Sequence, residues 1–112
     1  MNNIKERSIS MSTFKEAKEK NLKKLEQFVP IVARVHGKAH PEFYDVHKLF
    51  DAICAKIKEA GSETPDLNQE FEQLRQITGN YTVPEGVCET YEAVYNMLKE
   101  LDKAYQKQQE KD

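Results

Sequence analysis

The chain has no tryptophan, and glycine and proline number only four each in 112 residues. So few turn residues, among many Lys, Glu, Leu and Ala, point to a small number of long helices. Cysteine is equally scarce. Cys54 and Cys88 lie far apart and form no C-x-x-C pair, and both are expected as small core residues in a reducing cytoplasm. No long apolar run exists: the longest, FVPIVA, is far too short to span a bilayer. The opening MNNIKERSISMS has no apolar secretion segment, so a cytoplasmic protein is expected. Nor is there an excess of one charge. The net charge is −2 with both signs interspersed, which leaves no basic face for nucleic acid and no acidic tail. Glycine-rich phosphate loops, dinucleotide fingerprints and Ser-His-Asp or Cys-His spacings are missing too, and an enzyme is not expected.

What is present is helical patterning. Apolar residues make up 38% of the chain and charged ones 32%, enough for one modest core in one domain. Residues 1 to 11 are unpatterned and expected to be disordered; residues 12 to 112 are expected to form the domain. Thr13 and Glu16 form a T-x-x-E capping box. From there to Val35, Leu22, Leu25, Val29, Val32 and His36 recur at steps of three and four. Pro30 predicts a kink, and Gly37 a left-handed close. A second helix starts at Pro41, with Phe43, Val46, Phe50, Ile53 and Ile57 as its stripe and Gly61 as its end.

Thr64-Pro65-Asp66 predicts a third start, and Leu67, Phe71 and Leu74 a short stripe stopped by Gly79, about fourteen residues by these signals. NYTVPEG then reads as a loop, with Thr82 and Glu85 as a second capping box and Pro84 in the first turn. Val87, Tyr91, Val94, Leu98, Leu101 and Tyr105 mark the last helix, and QKQQEKD is expected to fray. The fold class is therefore all-α: an antiparallel four-helix bundle with a short third helix that leaves one end open.

All three histidines, His36, His40 and His47, fall within VHGKAHPEFYDVHKLF. His47 and Asp51 lie one turn apart on the second helix. Imidazole and carboxylate suit zinc or iron, and bundle interiors are common places for them. The alternative is structural: His36 packs or caps a helix C-terminus, His40 caps the second helix or faces water, His47 flanks the stripe, and Asp51 is a solvated charge. The five tyrosines read as core.

Two stretches carry a family resemblance. VARVHGKAHPEFYDVHKLF resembles the V-x-R-V-H-G-x-x-H-P-E…V-H-x-L-F segment of the hemerythrin-like di-iron proteins that repair iron-sulfur clusters. ITGNYTVPEGVCETYEAVYNMLKEL resembles that family's entry into its last helix, with Tyr81, Thr82, Pro84, Glu85, Cys88, Thr90, Tyr91 and Tyr95 all matching. The resemblance implies a hemerythrin-like bundle. It also implies a site of about five histidines and two carboxylates for two irons, more than three histidines can supply. His36 matches a family ligand. The other ligands implied fall near Lys15, Ala60, Thr64, Gln108 and Asp112, and the family's N-terminal cysteine domain has no counterpart in these residues. Lysine and alanine cannot hold iron.

The resemblance thus points to a degenerate member without a complete di-iron site, in an accessory or binding role in iron-sulfur repair or nitrosative and oxidative stress. The rivals are a small metal-binding protein using His36, His40 and His47, with Asp51 as a further ligand, for iron or zinc held within one chain or across a homodimer, and a module that binds a partner helix or a second copy in an apolar groove.

Overall fold

The structure is a computed structural model that describes residues 13–110. They form four α-helices: α1 Phe14–His36, α2 Glu42–Ala60, α3 Asn68–Thr78 and α4 Glu89–Glu110. No strand occurs among the described residues. The expected disorder of residues 1–11 lies outside the described residues.

The first capping box forms in both directions. Thr13 Oγ1 accepts from the Glu16 N–H at 3.1 Å, and Glu16 Oε1 accepts from the Thr13 N–H at 3.2 Å. Pro30 lies on the exposed side of α1, which continues to His36; there the freed Glu26 carbonyl can be met by water. The buried face of α1 contains the expected Leu25, Val29 and Val32, with Leu22 and His36 half-buried, and continues towards the N-terminus through Asn21, Ala17 and Phe14. Asn21 is tolerated there because its side-chain amide donates to the Ala17 carbonyl at 3.0 Å.

Gly37 does not close α1 in a left-handed conformation. Its φ of −59° and ψ of −34° are right-handed. Glycine is needed for space instead: a Cβ would collide with the Ala33 carbonyl and the Tyr44 ring. The chain then turns through the bonds His40 N–H to His36 O (2.8 Å) and Phe43 N–H to His40 O (2.9 Å) into α2. Gly61, at φ +63°, ends that helix.

Helix α3 begins later than Thr64 and has 11 residues. The Thr64 hydroxyl is engaged elsewhere, accepting from Gln108 Nε2 at 2.7 Å. Asp66 Oδ1 caps the Asn68 N–H instead, at 3.1 Å. Helix α4 is also late. The second capping box does not form, because Gly86 turns the chain at φ +80° and the helix starts only at Glu89, beyond Glu85; the Thr82 hydroxyl donates back to the Gly79 carbonyl at 2.6 Å. Pro84 lies before the helix, and Cys88 is the residue whose carbonyl takes the first bond, from Glu92 N–H at 3.2 Å. Within the end expected to fray, residues 106–110 are helical, and Gln106 and Gln108 are both hydrogen-bonded; residues 111–112 lie outside the described residues.

Helix α1 packs on α4 and on α2, and α2 packs on α3. Between them lie Leu25, Val29, Phe43, Val46, Phe50, Ile53, Phe71, Leu74 and Leu98, with Tyr91, Tyr95 and Tyr105 from α4. Burying each such side chain contributes about 1.5–3 kcal/mol. Tyr81 is buried as well, while Tyr44 is exposed, so four of the five tyrosines are core. Helices α3 and α4 meet through side chains: the Phe71 ring lies 5.4 Å from that of Tyr105, and Arg75 pairs with Asp102.

Candidate functional site

Helix α1 delivers His36 to the start of α4. Its Nε2 lies 3.2 Å from Cys88 Sγ, and its ring meets the edge of Tyr91 at 5.3 Å and 88°. The corner after α1 brings His40 to the same ring, at 5.5 Å and 70°. His40 Nδ1 also faces Glu42 Oε2 at 3.5 Å. Tyr91 is fully buried and is held by Phe43 and Tyr95, and its hydroxyl donates to Glu42 Oε2 at 3.4 Å. Burial, and then the hydrogen bond with Tyr95, holds the Tyr91 phenol well above its ordinary range. It stays neutral and serves as a fixed wall for the two imidazoles.

The structure therefore joins His36 and His40 but not the other two candidates. His47 pairs with Asp51 one turn along α2, at 3.6 Å, with Asp51 largely in water. Among the described residues no group of three or more His, Cys, Asp or Glu stands close enough to hold a metal ion. Cys88 is exposed, contrary to its expected place in the core, because α4 starts after it and turns it outward. Cys54 is half-buried in α2, and burial, with Glu26 and Asp51 nearby, pushes its thiol up to about 12.

The Cys88–His36 contact escapes sequence spacing because the partners are 52 residues apart. It could have been read from topology: if α1 and α4 run in opposite directions, the end of one must lie beside the start of the other.

The positions that the resemblance marks for iron ligands separate in space. Lys15 and His36 lie near opposite ends of the 23-residue α1, about 30 Å apart by helical rise, so they cannot share an ion. At the Lys15 end, Gln108 Oε1 accepts from the Phe14 N–H at 3.2 Å, and Gln108 Nε2 donates to Thr64 Oγ1. Two of the marked positions, 64 and 108, are thus tied to each other by a hydrogen bond between neutral groups. Lys15 is exposed and Ala60 has no donor atom in its side chain; Asp112 lies outside the described residues.

A second polar cluster, which sequence reading did not find, bridges α3 and α4. Asp102 is only 3% exposed. Its two oxygens accept from Arg75 Nη1 at 2.8 Å, from the Tyr81 hydroxyl at 2.7 Å and from Gln106 Nε2 at 3.3 Å. Burial, and then the bond to Asp102, raises the Tyr81 phenol far above its ordinary range, so it remains a donor. Tyr81 adopts φ +63°, in a run of three left-handed residues with Gly79 and Asn80. A bulky residue rarely does so; here the Tyr81 N–H, held by Thr78 Oγ1 at 2.8 Å, and its hydroxyl both fix it. Beside this cluster is a surface cavity of about 370 Å³ flanked by Lys99 and Lys103.

Compared with known proteins, the chain matches no family model, no curated protein and no solved structure.

Proposed function

We propose that the chain is a degenerate hemerythrin-like protein, an antiparallel four-helix bundle without a di-iron site. Its role is that of an accessory or binding protein in iron-sulfur cluster repair or in nitrosative and oxidative stress. The observation that carries the loss of the site is the Gln108–Thr64 hydrogen bond. Two side chains at marked ligand positions satisfy one another as neutral donor and acceptor, and neither is a ligand that holds iron against water. Direction is supported by contacts at both ends of α1: Phe14 with Gln108, and His36 with Cys88. The pathway rests on the motif residues from Val32 to Phe50 and from Ile77 to Leu101.

A binding role needs a face. The corner between α1 and α2 exposes Val35 (63%), Ile31 and Tyr44, a set of apolar side chains that a protein partner or a second copy of the chain would cover. The test is physiological. Cells depleted of the chain are exposed to nitric oxide, and recovery of a [4Fe–4S] dehydratase is followed. Slower recovery, restored by returning the chain, is expected. Recovery at an unchanged rate would remove the pathway from the reading.

A further inference from the structure

We propose that Cys88 and His36 form a reactive thiol–imidazole pair that reduces a small hydroperoxide, leaving Cys88 as a sulfenic acid. The inference goes beyond the family reading and does not depend on it. Three features of the geometry carry it. The nucleophile and a base come from different helices and meet at 3.2 Å, the contact that activates a thiol during attack. The base is oriented by a third group, the buried Tyr91 ring, set edge-to-face against His36. And the thiol is exposed, so a molecule the size of hydrogen peroxide needs no pocket to reach it.

The step balances without a further reactant. Sγ attacks one peroxide oxygen, the S–O bond forms and the O–O bond breaks. The thiol proton passes to His36 Nε2, which for this carries its resting proton on Nδ1. His36 then gives that proton to the departing hydroxide, which leaves as water. Sulfur is oxidised by two electrons and the peroxide is reduced by two.

Cys54 cannot capture the product. Phe43 touches Tyr91 beside Cys88, and Cys54 lies three turns further along α2, about 16 Å by helical rise and outside disulfide reach. With its thiol pushed up to about 12, Cys54 is also a poor nucleophile at neutral pH. It is an internal control within the same chain.

The experiment treats chelator-washed protein with hydrogen peroxide at pH 7, traps sulfenic acid with dimedone and reads each cysteine by mass spectrometry. Cys88 is expected to react at least about tenfold faster in the folded chain than in the peptide VPEGVCETY, as a positioned base requires. Cys54 should stay unlabelled. His36→Gln should bring Cys88 down to the peptide rate with helix content and melting temperature retained, while His47→Gln leaves it unchanged. A His36→Gln rate within about twofold of the unsubstituted chain would overturn the proposal, since a positioned base gives far more. If that variant does not fold, the peptide comparison decides alone: a folded-chain rate no faster than the peptide's overturns it.

Discussion

The Asp102 cluster and the His36 corner are both polar, but they are built in opposite ways. Around Asp102 a buried carboxylate receives donors from α3, α4 and the loop between them, at 2.7 to 3.3 Å. Around His36 the contacts run from 3.2 to 3.5 Å, and Cys88, His36 and His40 all reach solvent. The first cluster ties α3 and the loop after it to α4 within the protein, so its loss is a loss of stability. The second decorates a corner that backbone turns and the Tyr91 core already hold. Buried polar groups must be satisfied or they cost stability; exposed ones are free to do chemistry.

The comparison is broken most severely at its buried half. Asp102→Ala should cost about 2–4 kcal/mol, since it leaves the Tyr81 hydroxyl without its acceptor and Arg75 without its pair. That is a fall in melting temperature of more than about 10 °C for a domain of this size. A loss below about 0.5 kcal/mol, the level of a surface pair, would place the cluster with the exposed corner.

Tyr105→Phe comes next. The Tyr105 hydroxyl accepts from the buried Leu67 N–H at 2.9 Å, so its removal orphans a backbone donor at the start of α3, for about 1–2 kcal/mol by denaturant melt.

Alkaline titration sharpens the same contrast without mutation. Cys54, Tyr81, Tyr91, Tyr95 and Tyr105 all have raised pKa values in the fold, chiefly through burial. The folded state therefore keeps protons that the unfolded chain releases, and stability falls as pH rises. The contribution of these groups is constant below about pH 9.0, the ordinary value for Cys54, and declines from there through about 12, with the tyrosines joining from 10.0. Cys54→Ala should remove the earliest part of the decline; an unchanged onset would show that Cys54 is not buried as described.

The smallest effect belongs to the exposed half. His47 and Asp51 face each other at 3.6 Å in water, and His47→Ala should change stability by less than about 0.5 kcal/mol.

The elements of the fold were legible where a local signal had no tertiary rival. Among the described residues no rival partner takes the Thr13 hydroxyl or the Glu16 carboxylate, and their capping box forms as read. Thr64 and Thr82 carried equally good start signals, but Gln108 took the first hydroxyl and the Gly79 carbonyl the second, and both helices begin later. Gly37 was legible as a helix end but not as a close approach, since Tyr44 stands over it only after folding. Asp102 was invisible because an acidic residue on a charged helix reads as solvated until Arg75 and Tyr81 are placed against it. The histidine cluster was visible at once, but its division was not. Backbone turns send His36 and His40 to Tyr91 and leave His47 with Asp51, and the partner of His36 lies on a helix 52 residues away.

The central proposal is that the chain holds no pair of irons, since among the described residues the positions marked by the resemblance are dispersed or bonded to one another. It is tested most directly by loading the protein with ferrous iron under anaerobic conditions, removing the excess, and measuring iron per chain together with the melting temperature. Iron well below one per chain and an unmoved melting temperature are predicted, since a ligand held tightly only by the folded state must raise it. Two irons per chain with a raised melting temperature would contradict the account.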